Sequence, residues 1–129
     1  MTNSPTPDTP DYAAIARHYI ATFNETDADT RRRLLNELYA ADCRYVDPAV
    51  EVSGIDEIDS FLAATQQQFA GIRFSLGGPV DGHRRQLRFQ WHAGPDAEEP
   101  LAIGFDVLIL DEDARVSRVY GFIDRAPAG

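Results

Sequence analysis

One six-residue stretch, Cys43-Arg44-Tyr45-Val46-Asp47-Pro48, decides how this chain is interpreted. It begins where a helical pattern stops. It ends in a proline, which lacks the amide donor that a central strand needs. Strand alternation places Cys43, Tyr45 and Asp47 on one face. If that face looks inward, a carboxylate lies at a strand end inside an apolar enclosure, as either a structural turn or a general base.

Length and composition limit the classes of protein and partner. A chain of 129 residues predicts one domain with a core of its own. The single cysteine cannot pair within the chain, so we expect a cytoplasmic protein in a reducing compartment. We find no signal-peptide pattern and no apolar run near the ~20 residues of a membrane span, and we expect no membrane partner. A net charge of -9 argues against nucleic acid, because contacts with phosphate need a basic surface.

The order of patterns along the chain predicts the domain organisation. Residues 1–9 are too polar to pack and predict a disordered leader, residues 10–124 form the single domain, and residues 125–129 are a short tail. Three amphipathic segments at helical spacing predict three helices in the first half of the domain. In the second of them, the run Arg31-Arg32-Arg33 is predicted to be a solvated face.

The second half of the domain shows strand patterns. Leu87, Phe89 and Trp91 alternate with polar residues, whereas residues 101–110 are almost all apolar and should be covered on both faces. The predicted fold class is α+β, a cone-shaped, curved antiparallel sheet with three N-terminal helices that enclose a pocket. The outer apolar face needs a cover, and the simplest cover is a second copy of the chain, so we predict a homodimer.

Three segments resemble the nuclear transport factor 2-like superfamily, and its SnoaL-like and ketosteroid-isomerase-like branches most of all. The resemblance covers roughly residues 10 to 124 and implies the same cone-shaped α+β fold. The segments that carry it are His18-Tyr19-Ile20-Ala21-Thr22-Phe23-Asn24, then Leu38-Tyr39-Ala40-Ala41-Asp42 leading into Tyr45-Val46-Asp47-Pro48, and Gly104-Phe105-Asp106-Val107-Leu108 before a turn and Arg115-Val116.

The resemblance implies three catalytic residues for a cofactor-free proton transfer on a hydrophobic carbonyl compound. Asp47 corresponds to the general base, Tyr19 to the oxyanion-hole tyrosine and Asp106 to the oxyanion-hole acid. Such a reaction needs a base that takes and returns a proton, and donors for the enolate oxygen. An Asp106 that stays ionised could only accept hydrogen bonds. Enone isomerisation and an aldol-type, polyketide-cyclase-like cyclisation both fit this set.

The pocket should hold a small hydrophobic molecule and no cofactor or metal. The spacing of His18, His83 and His92 is not that of metal ligands. An epoxide-hydrolase site is disfavoured, because Gln90 and Gly121 stand where that branch has aspartates. The predicted substrate-binding residues are Tyr45, Phe23, Leu62, Phe89, Trp91 and Leu108.

Each site residue also has a structural interpretation. Asp47 can accept amide hydrogen bonds in its own turn, Tyr19 can be a core residue, and Asp106 can pair with an arginine. Asp124, at the end of the last strand, could instead be the acid/base aspartate of a polyketide-cyclase-like site, or only a solvated strand terminus. Cys43 could face the pocket, although a lone buried thiol is most often an inert small hydrophobic residue. Two other functions stay open, a non-catalytic binding protein for an apolar metabolite and a protein-interaction module of the same fold.

Overall fold

The computed structural model describes residues 10–95 and 100–126. The predicted leader at 1–9 and the last three residues of the predicted tail lie outside these ranges. The described residues form three helices, α1 (Tyr12–Asn24), α2 (Ala28–Leu38) and α3 (Ile55–Gln68). They also form seven strands, β1 (Tyr39–Val46), β2 (Glu51–Ser53), β3 (Arg73–Leu76), β4 (Asp81–His83), β5 (Gln86–Gly94), β6 (Ala102–Leu110) and β7 (Val116–Arg125).

The seven strands make one open sheet in the order β2-β1-β7-β6-β5-β3, with β4 beside β5. The predicted α+β class is confirmed. The sheet is mixed, however, because β1 and β7 pair in parallel while the other pairs are antiparallel. Parallel pairing needs a long connection between the two strands, and the chain between β1 and β7 is long enough to provide it. Register shifts in β1–β7 and β6–β7 bend the sheet around the helices.

Aspartate side chains cap the first two helices at their N-terminal ends. The Asp11 carboxylate accepts a hydrogen bond from the Ala14 amide at 3.0 Å, and Asp27 accepts one from Thr30 at 2.9 Å. The buried face of α1 contains Ala16, Tyr19, Ile20 and Phe23, which repeat at helical spacing. This face packs into the main core cluster and thereby directs the Tyr19 phenol at the sheet.

The prediction of a solvated arginine run is wrong for Arg31. Its side chain is buried, and its Nε donates to Asp59 Oδ1 at 2.6 Å while its Nη1 donates to Gln66 Oε1 at 2.9 Å. Both partners are on α3, which sequence spacing within α2 does not reveal. Arg31 therefore joins α2 to α3, and the buried charge is paired as burial requires.

None of the helices within residues 10–95 and 100–126 combines the length and the apolar character of a membrane span.

Candidate functional site

Asp106 lies on the inner face of β6 and is the best-enclosed carboxylate among the described residues, with 3% of its surface exposed. The Tyr19 hydroxyl donates a hydrogen bond to Asp106 Oδ2 at 2.6 Å, across 87 positions of the chain. The Trp91 indole donates to Oδ1 at 3.0 Å. Both carboxylate oxygens thus accept a hydrogen bond, one from α1 and one from β5.

Gly104 explains how the Trp91 indole reaches Asp106. Gly104 lies two positions before Asp106 on β6 and is directly opposite Trp91 in the β5–β6 pairing. A Cβ atom at position 104 would overlap the indole ring of Trp91. The absence of a side chain therefore lets the indole lie close over β6 with its N–H directed at the carboxylate.

Burial raises the pKa of Asp106 from its ordinary 3.8 to about 6. The hydrogen bonds from Tyr19 and Trp91 favour the ionised form and act against this rise, while the charge of Asp47 adds to it. Burial, together with the Asp106 charge, also raises the pKa of Tyr19 well above its ordinary value. At neutral pH the site therefore combines a phenol that stays protonated with a carboxylate that can take a proton.

Asp47 occupies a different environment at the end of β1. Its Oδ2 accepts a hydrogen bond from the Tyr45 hydroxyl at 2.7 Å. Its Oδ1 accepts hydrogen bonds from the backbone amides of Ala49 and Val50 at 2.8 and 3.0 Å. These are the local bonds expected of an aspartate that forms a turn around Pro48. The side chain is half-buried, and both of its oxygens are engaged. Asp47 therefore links its own turn to the Tyr45 ring, because one carboxylate oxygen bonds to the turn amides and the other to the Tyr45 hydroxyl.

Gly121 separates the two carboxyl groups on the inner face of the sheet. It pairs with Asp106 in β6–β7. A Cβ atom at Gly121 would lie 3.0 Å from Asp106 Oδ1 and 3.1 Å from Asp47 Cβ. The residue that disfavours an epoxide-hydrolase site is thus the one that leaves Asp47 and Asp106 side by side.

A small cavity of about 20 Å³ lies against this cluster. That volume admits about one water molecule. Ile20 and Phe74 line the cavity but are not among the residues predicted from the sequence, although Phe74 alternates with polar residues in a recognisable strand pattern. The cavity is lined by Tyr19, Ile20, Phe23, Tyr45, Phe74, Trp91 and Asp106.

Three of the predicted substrate-binding residues lie elsewhere. Leu62, Phe89 and Leu108 have 1%, 1% and 0% of their surface exposed, and they pack in the core cluster without lining the cavity. Asp47 does not line it either, but it contacts the cavity wall through Tyr45. The structure therefore brings together Tyr19, Asp106, Trp91, Phe23 and Tyr45, with Asp47 next to them.

The remaining candidates have no place in this cluster. Cys43 is buried, and burial raises the pKa of its thiol to about 12, so it stays a neutral thiol. Asp124 is exposed near the end of β7. Within residues 10–95 and 100–126, no group of three or more His, Cys, Asp or Glu side chains is arranged to hold a metal ion.

The family model of the SnoaL-like domain matches residues 16–119. No curated protein sequence matches the chain significantly. Among solved structures, a SnoaL-like family protein from Agrobacterium tumefaciens, named as a candidate isomerase, is 38% identical. It superposes with a TM-score of 0.83 over 88% of this chain and 97% of its own.

Two more distant structures share the fold. A candidate SnoaL-like polyketide cyclase from Jannaschia sp. has 17% identity and a TM-score of 0.67, over 95% of this chain and 92% of its own. A candidate polyketide cyclase from Sinorhizobium meliloti has 16% identity and a TM-score of 0.65, over 88% of this chain and 95% of its own.

Proposed function

Because this chain belongs to the SnoaL-like domain family, we propose that it catalyses cofactor-free proton transfer on a small, uncharged carbonyl compound, with Asp106 as the group that takes and returns the proton. The observation that carries this proposal is the buried Asp106 carboxylate, bonded to the Tyr19 phenol at the wall of a cavity. A carboxyl group that titrates near neutrality suits both halves of such a reaction.

The step needs no oxidant or reductant. The Asp106 carboxylate removes a proton from the carbon next to the carbonyl, the electron pair of that C–H bond forms a carbon–carbon double bond, and the π electron pair of the carbonyl moves to its oxygen. Tyr19 then turns its hydrogen bond from Asp106 to the enolate oxygen. In an enone, the second double bond extends the enolate to a dienolate, and protonated Asp106 returns the proton to its far carbon, which shifts the double bond and gives an isomer. In a cyclisation, the enolate carbon attacks a second carbonyl of the same molecule and the proton goes to the new alkoxide.

This proposal exchanges the roles that the resemblance implies for the two aspartates. Asp106 lines the cavity, whereas Asp47 does not, and both Asp47 oxygens already accept hydrogen bonds. We therefore assign Asp47 a positioning role, in which it fixes the Tyr45 ring. The names of the relatives, one a candidate isomerase and two candidate cyclases, support reactions through an enolate.

Exchange of the α-hydrogens of cyclohexanone in heavy water, followed by proton NMR, tests the proposed reaction. If Asp106 is the base, the catalysed rate rises with pH through about 6, as its carboxyl ionises. A rate that instead falls through the same pH would return Asp106 to the role of oxyanion donor. Protein that leaves both cyclohexanone and a β,γ-unsaturated cyclohexenone unchanged at all pH values contradicts the proposal.

We also propose that the protein is a homodimer joined through the outer face of β6 and β7. Phe105 and Phe122 are opposite one another on this face, and 56% of Phe122 is exposed. Phe122→Arg should convert the dimer to a monomer, because it places a charge in the middle of the buried face. Light scattering measures the change. Phe69→Arg, at an exposed phenylalanine on the end of α3, should leave the dimer intact.

The setting we propose is the bacterial cytoplasm. The single cysteine leaves no disulfide within the chain, and arginine supplies all 12 basic residues, as in GC-rich genomes.

A further inference from the structure

Asn24 is the last residue of α1, and its side chain takes no part in ending that helix. The cap at this end is a backbone bond, from the amide of Glu25 to the carbonyl oxygen of Ala21. The Asn24 side chain reaches instead to Phe74 in β3, 50 positions away in the sequence. Its Nδ2 donates to the Phe74 carbonyl oxygen at 2.8 Å, and its Oδ1 accepts from the Phe74 amide, also at 2.8 Å.

These two hydrogen bonds anchor an edge strand. β3 is four residues long, lies at one end of the strand order and, among the described strands, pairs only with β5. An edge strand presents backbone N–H and C=O groups that have no neighbouring strand to pair with. The Asn24 amide carries both a donor and an acceptor, so one side chain satisfies both backbone groups of Phe74. The end of α1 therefore fixes β3 at a residue that lines the cavity.

The Phe74 ring supports the tryptophan that bonds to Asp106. Its centroid is 5.6 Å from that of the Trp91 ring, with a tilt of 58°, and 5.2 Å from that of Phe23, with a tilt of 54°. β5, which carries Trp91, lies between β3 and β6 in the sheet. The indole leans over β6 at Gly104, and the Phe74 ring contacts it from the strand on the other side.

A continuous series of contacts thus joins the end of α1 to the buried carboxylate. We propose that Asn24 is a positioning residue for Asp106. It fixes the Phe74 backbone, and the Phe74 ring in turn keeps the Trp91 indole in the orientation that donates to the carboxylate. The catalytic consequence of this inference rests on the proposed function, whereas the arrangement of the rings does not.

The NMR signal of the Trp91 indole N–H tests the inference directly, because Trp91 is the only tryptophan in the chain. Asn24→Ala should move this signal toward that of a free indole. The indole hydrogen should also exchange with water about tenfold faster or more, since a hydrogen bond to a charged group is weakened. Neither measurement requires turnover.

The pH dependence of the same signal is a second readout. In the wild type the signal should follow the ionisation of Asp106, with a midpoint at about 6. The hydrogen bond from Trp91 favours the ionised carboxylate, so its loss raises the pKa of Asp106. The midpoint in Asn24→Ala should therefore lie above the wild-type value, and the pH profile of catalysed α-hydrogen exchange should move with it.

Asp106→Asn identifies the Asp106 step among the other groups that face this carboxyl. Asp47 lies beside it across Gly121 and is unchanged in that variant, so a step that disappears belongs to Asp106. The tyrosines nearby keep their protons over this range, because burial raises the pKa of each, namely Tyr19, Tyr39 and Tyr45.

Graded variants test whether Asn24 acts through the Phe74 ring. Asn24→Asp keeps an acceptor for the Phe74 amide but cannot donate to the carbonyl oxygen, so it should give a smaller change in the same direction. Phe74→Leu keeps both backbone bonds and removes the ring, and it should reproduce the change in the Trp91 signal. Asn24→Ala added to Phe74→Leu should then change the signal little further, because both act through one contact.

Gln66→Ala is the matched control for general loosening of the fold. The Gln66 side chain is also an amide bonded to the end of α1, at the carbonyl oxygens of Phe23 and Glu25, but it extends from α3. Its loss should lower the free energy of unfolding, measured with urea, yet leave the Trp91 signal and its midpoint unchanged.

Folded Asn24→Ala and Asn24→Asp proteins with the wild-type indole signal and midpoint would overturn the inference, as would an equal response to Gln66→Ala. The two proposals fail separately. A shifted signal in a protein without hydrogen-exchange activity keeps Asn24 as a positioning residue for Asp106 and removes the reaction. Catalysed exchange with an unchanged signal in both Asn24 variants does the reverse.

Discussion

Asp106→Asn is expected to lower the rate of catalysed α-hydrogen exchange by ~100-fold to ~10,000-fold, as removal of a general acid–base group does. Asparagine occupies nearly the same space and can still accept a hydrogen bond from Tyr19, but it cannot take a proton at neutral pH. Asp47→Asn should lower the rate by less than tenfold, because Asp47 acts through Tyr45 and does not line the cavity. The measurement is exchange of cyclohexanone in heavy water.

Asp124→Asn provides the matched control, because Asp124 is an exposed carboxylate on β7 and should have no effect on the rate. Circular dichroism checks that each variant is folded. A loss of ~100-fold for Asp47→Asn with little change for Asp106→Asn would show that the resemblance assigns the base correctly and that our exchange of roles is wrong.

The free energy of unfolding is expected to fall by about 2 kcal/mol between pH 4 and pH 7 through Asp106 alone. The pKa of this carboxyl is raised to about 6 in the folded protein, so the folded state binds the proton more tightly than the unfolded chain. The stabilisation is complete below the unfolded pKa near 4, is lost as the pH rises through about 6, and does not return at higher pH.

Asp106→Asn should lack this loss, since asparagine does not titrate. Other carboxylates contribute to both proteins alike, so the informative quantity is the difference in unfolding free energy between the variant and the wild type. Urea unfolding at a series of pH values measures it. We expect the difference to move in favour of the variant by about 2 kcal/mol as the pH rises from 4 to 7. A difference that stays constant over this range is the contrary outcome.

The sequence predicts the architecture well because the fold follows from local patterns. Helical spacing places Tyr19 and Phe23 on the buried face of α1, and strand alternation places Tyr45 and Asp47 on one face of β1. The parallel pairing of β1 with β7 is not local, and no spacing within either strand indicates it.

The site is harder to predict because its contacts join distant parts of the chain. β6 is apolar on both sides, so its pattern does not show that Asp106 faces inward. The Trp91–Asp106 bond depends on a missing side chain at Gly104, and the buried position of Arg31 depends on partners in another helix. The size of the cavity depends on how its lining rings, among them Phe23, Tyr45 and Phe74, pack against one another, which composition does not encode.

The most direct test of the central claim is the titration of the Asp106 carboxyl carbon by NMR in the wild-type protein, with the signal assigned by its absence from Asp106→Asn. Our account predicts a midpoint at about 6, set by burial against the hydrogen bonds from Tyr19 and Trp91. A midpoint near 4, the value of an ordinary aspartate, would contradict it, and a pocket that binds without reacting would then be the better account.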